Sequence, residues 1–263
     1  MKKILLACSF LVQSVMAQEW QAEVMAGVAT YNGDLKEKMT DLNTVRPAIQ
    51  VNLKYEFYYL TLRAGLFYTQ LTGNDAFNKG DLKYRNLNFR SHLVEFTFVG
   101  EMNLVEPDLY DSYPYMFAGV GVFYHNPTGK DDNGKNIKLQ PLRTEGQETS
   151  ANPNRKKYKL LQPCIPVGAG WKWKLNEKLD LAWEMSYRLT FTDYLDDVST
   201  TYASSAILTN EVSAVAAAMS NRAIPMPNNY VPQAGDMRGN PKFKDSYLTT
   251  GVKLIVHLQG RKR

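Results

Sequence analysis

The chain has little cysteine: two in 263 residues, Cys8 and Cys164. Cys8 falls in an amino-terminal leader, so Cys164 has no intramolecular partner and a disulfide-stapled secreted domain is excluded. Long apolar runs are missing too. Beyond the leader no stretch reaches the ~18 residues of a membrane-spanning helix, which excludes a helical membrane protein. A membrane barrel survives that test, because its strands need only ~9–11 residues and carry polar side chains at alternate positions. Charge of one sign is also scarce. Lys and Arg number 31 against 26 Asp and Glu, and loss of Lys2 and Lys3 with the leader narrows the gap. Outside Arg155-Lys156-Lys157 and Arg261-Lys262-Arg263, which read as solvated loop and tail, the basic residues form no cluster, so nucleic acid is not an expected partner.

The leader is MKKILLACSFLVQSVMA. Lys2 and Lys3 precede an apolar segment that ends in Val15-Met16-Ala17, small or apolar residues suited to cleavage before Gln18, so residues 1–17 read as a secretory signal. A lipoprotein reading of Leu5-Leu6-Ala7-Cys8 leaves too few apolar residues before the cysteine. The mature barrel domain is then 18–263.

What the chain has in quantity is period-two alternation. Leu179, Leu181, Trp183, Met185, Tyr187 and Leu189 alternate with Asp180, Ala182, Glu184, Ser186 and Arg188. The same pattern recurs over Ile165–Leu175 and Leu248–Leu258, and more weakly over Trp20–Val28, Ile49–Tyr55, Leu60–Tyr68 and Pro114–Tyr124. Leu87–Met102 changes phase near Leu93 and Val94, which predicts a bulge. The total is eight strands. The links between them alternate in length: Glu56–Tyr58, Asn103–Ser112 and Asn176–Lys178 are short or medium, whereas those around Asn74–Arg85, over Asn126–Leu160 and over Thr190–Asp245 are long. An all-β, eight-stranded antiparallel outer-membrane barrel has this plan, with short turns in the periplasm and long loops outside.

A soluble sandwich or lipocalin-like barrel would also alternate. It would need either the charged faces in its core or Trp171, Trp173, Trp183, Tyr187 and Leu254 around a cavity that glycines and lysines line poorly. The apolar faces are therefore expected to meet outer-membrane lipid. Trp20, Tyr55, Phe57, Tyr58, Tyr59, Tyr113, Tyr115 and Trp173 are expected at the periplasmic interface, and Tyr31, Tyr68, Tyr124 and Phe191 at the outer one. The lumen of eight strands is just wide enough to be filled by side chains, so Glu23, Arg63, Glu95, Glu184, Arg188 and Lys253 are expected to pair there and plug the barrel.

No catalytic residue, cofactor or metal is expected. His92, His125 and His257 lie on different strands without zinc-like spacing. No motif ties His125 to Ser204, Ser205 or Asp193. Asp193-Tyr194-Leu195-Asp196-Asp197 lacks the EF-hand spacing and reads as a solvated loop. Ile207, Leu208, Val212, Val215, Ala216 and Met219 predict one short amphipathic helix, of about four turns, between Ala206 and Arg222 in the last loop.

Four motifs occur in order: Tyr31-x-Gly33-Asp34-Leu35; His92-Leu93-Val94-Glu95-Phe96 with Gly100-Glu101; Pro114-Tyr115-x-Phe117-x-Gly119-x-Gly121; and Arg238-Gly239-Asn240-Pro241 with Asp245 and Tyr247. Together they resemble the PorG-like outer-membrane barrels of Bacteroidetes. The resemblance implies a non-enzymatic part in type IX secretion, anchoring the periplasmic ring of PorK and PorN. The medium turn with Glu106, Pro107, Asp108, Leu109, Tyr110 and Asp111 would be the contact. Tyr31–Leu35 and Arg238–Pro241 would be loop locks or contacts for another translocon component. Thr249-x-Gly251-x-x-Leu254-x-Val256 resembles the terminal signal read by the barrel-insertion machinery. The alternative is an OmpA/OmpX-like surface barrel with a structural or adhesive role.

Overall fold

Eight long strands pair edge to edge in a closed ring. A computed structural model of the chain describes residues 18–36, 42–57 and 59–259; the expected leader, Tyr58 and the terminal Arg261-Lys262-Arg263 lie outside the described residues. The strands are β1 (Gln18–Asn32), β2 (Arg46–Phe57), β3 (Leu60–Asn74), β4 (Asn88–Asn103), β5 (Ser112–Lys130), the short β6 (Asn136–Lys138), β7 (Leu161–Lys174), β8 (Leu179–Thr190) and β9 (Ser246–His257). Each pairs antiparallel with its neighbours. β6 only extends the outer end of β5, so the barrel itself has eight staves.

Closure is carried by β1 and β9, which pair from Gln21↔His257 to Asn32↔Ser246. Among the described residues no long strand keeps an unpaired edge, as hydrocarbon requires of backbone N–H and C=O groups that have no water to bond. The sequence specifies this wall through its alternation. In β4 the inward Phe89, Ser91, Leu93, Glu95, Thr97, Val99, Glu101 and Asn103 are buried, while Val94, Phe96, Phe98 and Met102 face out. Trp171, Trp183, Val252 and Leu254 continue that outer belt.

The bulge expected near Leu93 and Val94 is absent. Register runs unbroken there, with Leu93↔Thr69 and Val94↔Tyr68 on one side and Leu93↔His125 and Val94↔Tyr124 on the other. The sequence changes phase because the lumen itself changes character, from ionic low down to apolar above, so Leu93 is an inward residue.

Inward glycines complete the wall. Tyr115 and Phe117 sit directly opposite Gly170 and Gly168, and a Cβ on either glycine would come within 2.5 Å of the facing ring. The rings lie flat across the sheet where the glycines leave space. This corrects the aromatic assignment: Tyr113, Tyr115 and Tyr31 point into the barrel and are buried, whereas Trp20, Tyr59, Trp173, Tyr68, Tyr124 and Phe191 are exposed as expected.

Among the described residues the outer loops hold three short helices, α1 (Leu82–Arg85), α2 (Ser205–Glu211) and α3 (Ala214–Ser220). The single four-turn helix expected over 206–222 is thus two helices. Val212 ends the first and Ser213 caps the second, its side chain accepting from the Ala216 N–H, and a serine at such a position competes for backbone hydrogen bonds. Leu208 and Ala216 still share one apolar face, packed with Ala203 and Leu142.

Candidate functional site

The lumen has two layers. In the lower one Arg63 Nη1 lies 2.7 Å from Glu184 Oε2, 3.3 Å from Glu101 Oε2 and 3.8 Å from Glu23 Oε1. Lys253 Nζ bridges Glu23 at 2.9 Å and Glu184 at 2.5 Å. Lys54 bridges Glu23 at 3.3 Å and Glu101 at 3.1 Å, and Lys172 also binds Glu101. Tyr115 donates to Glu184 at 2.8 Å and the Asn52 amide to Glu23 at 2.6 Å. All of these side chains are buried. Charges this far from water persist only when paired and hydrogen-bonded, and here each carboxylate meets several cations.

Of the residues expected to pair, the structure brings Glu23, Arg63, Glu184 and Lys253 together. Glu95 and Arg188 stand apart in the upper layer, 3.3 Å from each other. Tyr247 and Cys164 donate to Glu95, and Arg188 donates to Thr249. The Arg188 guanidinium stacks 5.0 Å above the Phe67 ring. Around this pair Met25, Phe67, Leu71, Leu93, Phe123 and Tyr247 form an apolar cluster. Lys54, Glu101 and Lys172 were not in the expected set. Their signal is plain alternation: Lys54 shares its inward face with Gln50 and Asn52, and Lys172 shares its own with Gly168 and Gly170.

Above the lumen the four outer loops meet in a buried polar cap. Tyr31 Oη donates to Asp196 Oδ2 at 2.5 Å, and the Asn240 N–H donates to Asp34 Oδ2 at 2.9 Å. Arg85 ties three loops together. Its guanidinium donates to the Asp34 carbonyl at 2.6 Å and the Arg238 carbonyl at 2.6 Å, and pairs with Asp75 at 2.7 Å. Arg238 donates to Glu145 Oε1 at 3.2 Å, to the Asp197 carbonyl at 2.5 Å and to the Ser220 carbonyl at 3.1 Å. Glu145 in turn accepts from the Ser199 and Thr200 backbones. A Cβ on Gly33 would collide with Asp245 Oδ1 and Tyr31 Oη, and one on Gly239 with Asp34 Oδ2. At Tyr31–Leu35 and Arg238–Pro241 the outer loops are bonded to one another, and both glycines leave room for the acids of the cap. Arg85, Asp75 and Glu145 carry no periodic signal, which is why sequence reasoning passed over them.

The segment Asp193–Asp197, expected to be solvated, is buried in this cap apart from half-buried Tyr194. Its carboxylates diverge. Asp193 accepts from Ser199 at 2.6 Å, Asp196 from Tyr31, and Asp197 from Thr144 at 2.5 Å and Tyr158 at 2.8 Å. Ser204 caps α2 through the Ile207 N–H, and His125 stacks on Tyr158, so no nucleophile–base–acid triad assembles from them.

Burial pushes the Asp193 carboxyl up to about 7 and that of Asp197 to about 6, and raises Asp196 and Asp245 well above the usual range, with Asp196 and Asp245 also opposed by neighbouring aspartates. An unfolded aspartate titrates near ~3.9. Between about pH 4 and 7 the closed cap therefore holds protons that an opened loop would release, so cap stability present in acid is lost as pH rises through that window. Amide-exchange protection factors over residues 191–202 are expected to be higher at pH 5 than at pH 8, and Asp193→Asn should reduce the difference. Protection that grew with pH would contradict this.

At the opposite end the turn between β4 and β5 contains a single 3-10 turn, Pro107–Leu109. Leu109 is 69% exposed and Tyr110 52%. Glu106, Asp108 and Asp111 flank them.

Lipid is the solvent that suits such a wall, apolar outside and ionic within, and the class is the small outer-membrane β-barrel whose lumen is filled by its own side chains. More narrowly, the chain belongs to the family described as Domain of unknown function (DUF6089), which matches residues 2–210; Arg238–Pro241 and β9 lie beyond the matched span. No curated protein matches the chain. Similar solved structures include Neisserial surface protein A (NspA), 9% identical over 90% of this chain and 96% of that one at a TM-score of 0.42. Ail, the attachment invasion locus protein of Yersinia pestis, is 9% identical over 92% and 99% at 0.42. A major outer membrane protein from Thermus thermophilus is 11% identical over 90% and 99% at 0.42.

Proposed function

We propose that the protein is a non-enzymatic outer-membrane anchor of the type IX secretion machinery, holding a PorK/PorN-like periplasmic ring through the turn between β4 and β5. The observation that carries this reading is the pair Leu109 and Tyr110, both exposed beyond the end of the barrel and set among Glu106, Asp108 and Asp111. Apolar side chains held out on a tight acidic turn fit a protein partner better than lipid. The motif resemblance supplies the identity of that partner. Replacing Glu106–Asp111 by a short Gly-Ser link is expected to leave a folded barrel, release the ring from the outer-membrane fraction and stop secretion. Continued secretion with the ring still anchored would rule the reading out.

A second reading, a surface barrel with an adhesive role, is favoured by Phe243, Met237 and Tyr230 in the last outer loop, which are 73%, 63% and 42% exposed. Under it, substituting these three residues abolishes surface binding, and the Glu106–Asp111 replacement has no effect.

A further inference from the structure

At the periplasmic mouth Glu19 on β1 and Glu56 on β2 are register partners, directly opposite one another. Like charges so placed destabilise a strand pair unless something positive lies between them. His257, the last residue of β9, supplies a donor atom of a different kind. Its Nδ1 lies 3.2 Å from Glu19 Oε2, and a ring nitrogen of His257 and one carboxylate oxygen from each glutamate all fall within 4.8 Å of one another. Its other nitrogen, Nε2, is 3.0 Å from Asp180 Oδ2 on β8. Glu19, Asp180 and His257 are buried and Glu56 is half-buried.

We propose that Glu19, Glu56 and His257 form a site for a divalent transition metal, zinc by preference, that clasps the seam where the first and last strands meet. One imidazole nitrogen and two carboxylate oxygens make a borderline donor set of the zinc type. Calcium would want six to eight oxygens, and there is no thiolate to select a softer ion. Zinc bonds of about 2.0–2.2 Å put ligand atoms roughly 3.3 Å apart, so the three groups need only close in modestly. Asp180 is the positioning residue: a carboxylate on Nε2 fixes the tautomer in which Nδ1 is the ligating atom and raises its basicity. A doubly protonated His257 could satisfy Glu19 and Asp180, one proton each, but would offer nothing to Glu56, which takes a hydrogen bond from the Gln21 amide. A metal engages both glutamates at once. Gln21 is the register partner of His257, so the ion would sit on the closing seam itself.

The test uses the refolded mature barrel, stripped with chelator and equilibrated with zinc. It is expected to retain a single zinc ion per chain through gel filtration and to gain thermal stability from it. Glu56→Gln and His257→Gln, each lying at the strand ends and leaving the ladders intact, should lose both the ion and the zinc-dependent gain, while His92→Ala on the outer belt should lose neither. Asp180→Asn should weaken binding by about 10–100-fold, as loss of an orienting carboxylate does. No retained zinc overturns the proposal. So does retention unchanged by Glu56→Gln and His257→Gln, or a thermal gain that these variants share with the wild type.

Discussion

Replacing Arg63 by methionine is expected to destabilise the barrel by about 3–5 kcal/mol, the range for breaking a buried ion pair by removing one partner. Methionine fills the volume of the stem, so the loss is electrostatic rather than a cavity. Among the described residues, Arg63 is the one side chain within 3.8 Å of Glu23, Glu101 and Glu184 together. Without it Glu184 keeps Lys253 and Tyr115, and Glu101 keeps Lys54 and Lys172, but the three acids lose the cation between them. Arg63→Lys should recover only part, because an ammonium cannot present the planar fork that reaches several carboxylates. Adding Glu184→Gln to Arg63→Met should recover none of the loss, since the three lysines of the layer would then face only two carboxylates. Urea midpoints in lipid, followed by the gel-mobility difference between folded and unfolded barrel, measure all four proteins. A cost below about 1 kcal/mol, as for an exposed pair, would show that the lower layer is wetter than its burial implies.

Arg238→Ala is expected to cost the cap a comparable 3–5 kcal/mol while leaving the wall below it standing. The guanidinium is buried and donates to Glu145, to the Asp197 carbonyl and to the Ser220 carbonyl, so its loss strands acceptors from two loops at once. Cleavage within the segment 191–245 by added protease should accelerate on intact cells, and the β-strand content should stay unchanged. Arg85→Ala should resemble it, since Arg85 holds the Arg238 backbone and Asp34. Wild-type resistance in both variants would mean that apolar packing of Leu195, Val198 and Met219 holds the loops without the arginines.

The wall was legible in the sequence because a strand reports its surroundings every second residue. Trp183 against Glu184, or Leu254 against Lys253, states which solvent each side meets. Where both faces are apolar the code fails. Leu93 faces an apolar lumen and Val94 faces lipid, so β4 looked out of phase when it is regular. Tyr113 and Tyr115 misled for a related reason: an aromatic ring suits both the headgroup zone and the lumen, and only the register, with Tyr113 opposite Lys172 and Tyr115 opposite Gly170, tells which. The cap was illegible. Arg85, Glu145 and Asp197 are gathered from loops far apart in the chain, and loop contacts have no period. The Tyr31 and Arg238 motifs marked where the cap would form without saying that Arg85 joins them. The split between α2 and α3 was visible in Ser213, which the helical spacing of its neighbours obscured.

The ionic layer takes one member from every stave: Glu23, Lys54, Arg63, Glu101, Tyr115, Lys172, Glu184 and Lys253 come from β1, β2, β3, β4, β5, β7, β8 and β9. A half-assembled sheet therefore carries its share of unneutralised groups on the side that will become the interior, and no hairpin can enter hydrocarbon ahead of the others without exposing them. Biogenesis of this protein should be concerted, with the charges meeting as the cylinder shuts, and a chain stalled short of its last strand should remain at the bilayer surface instead of crossing it.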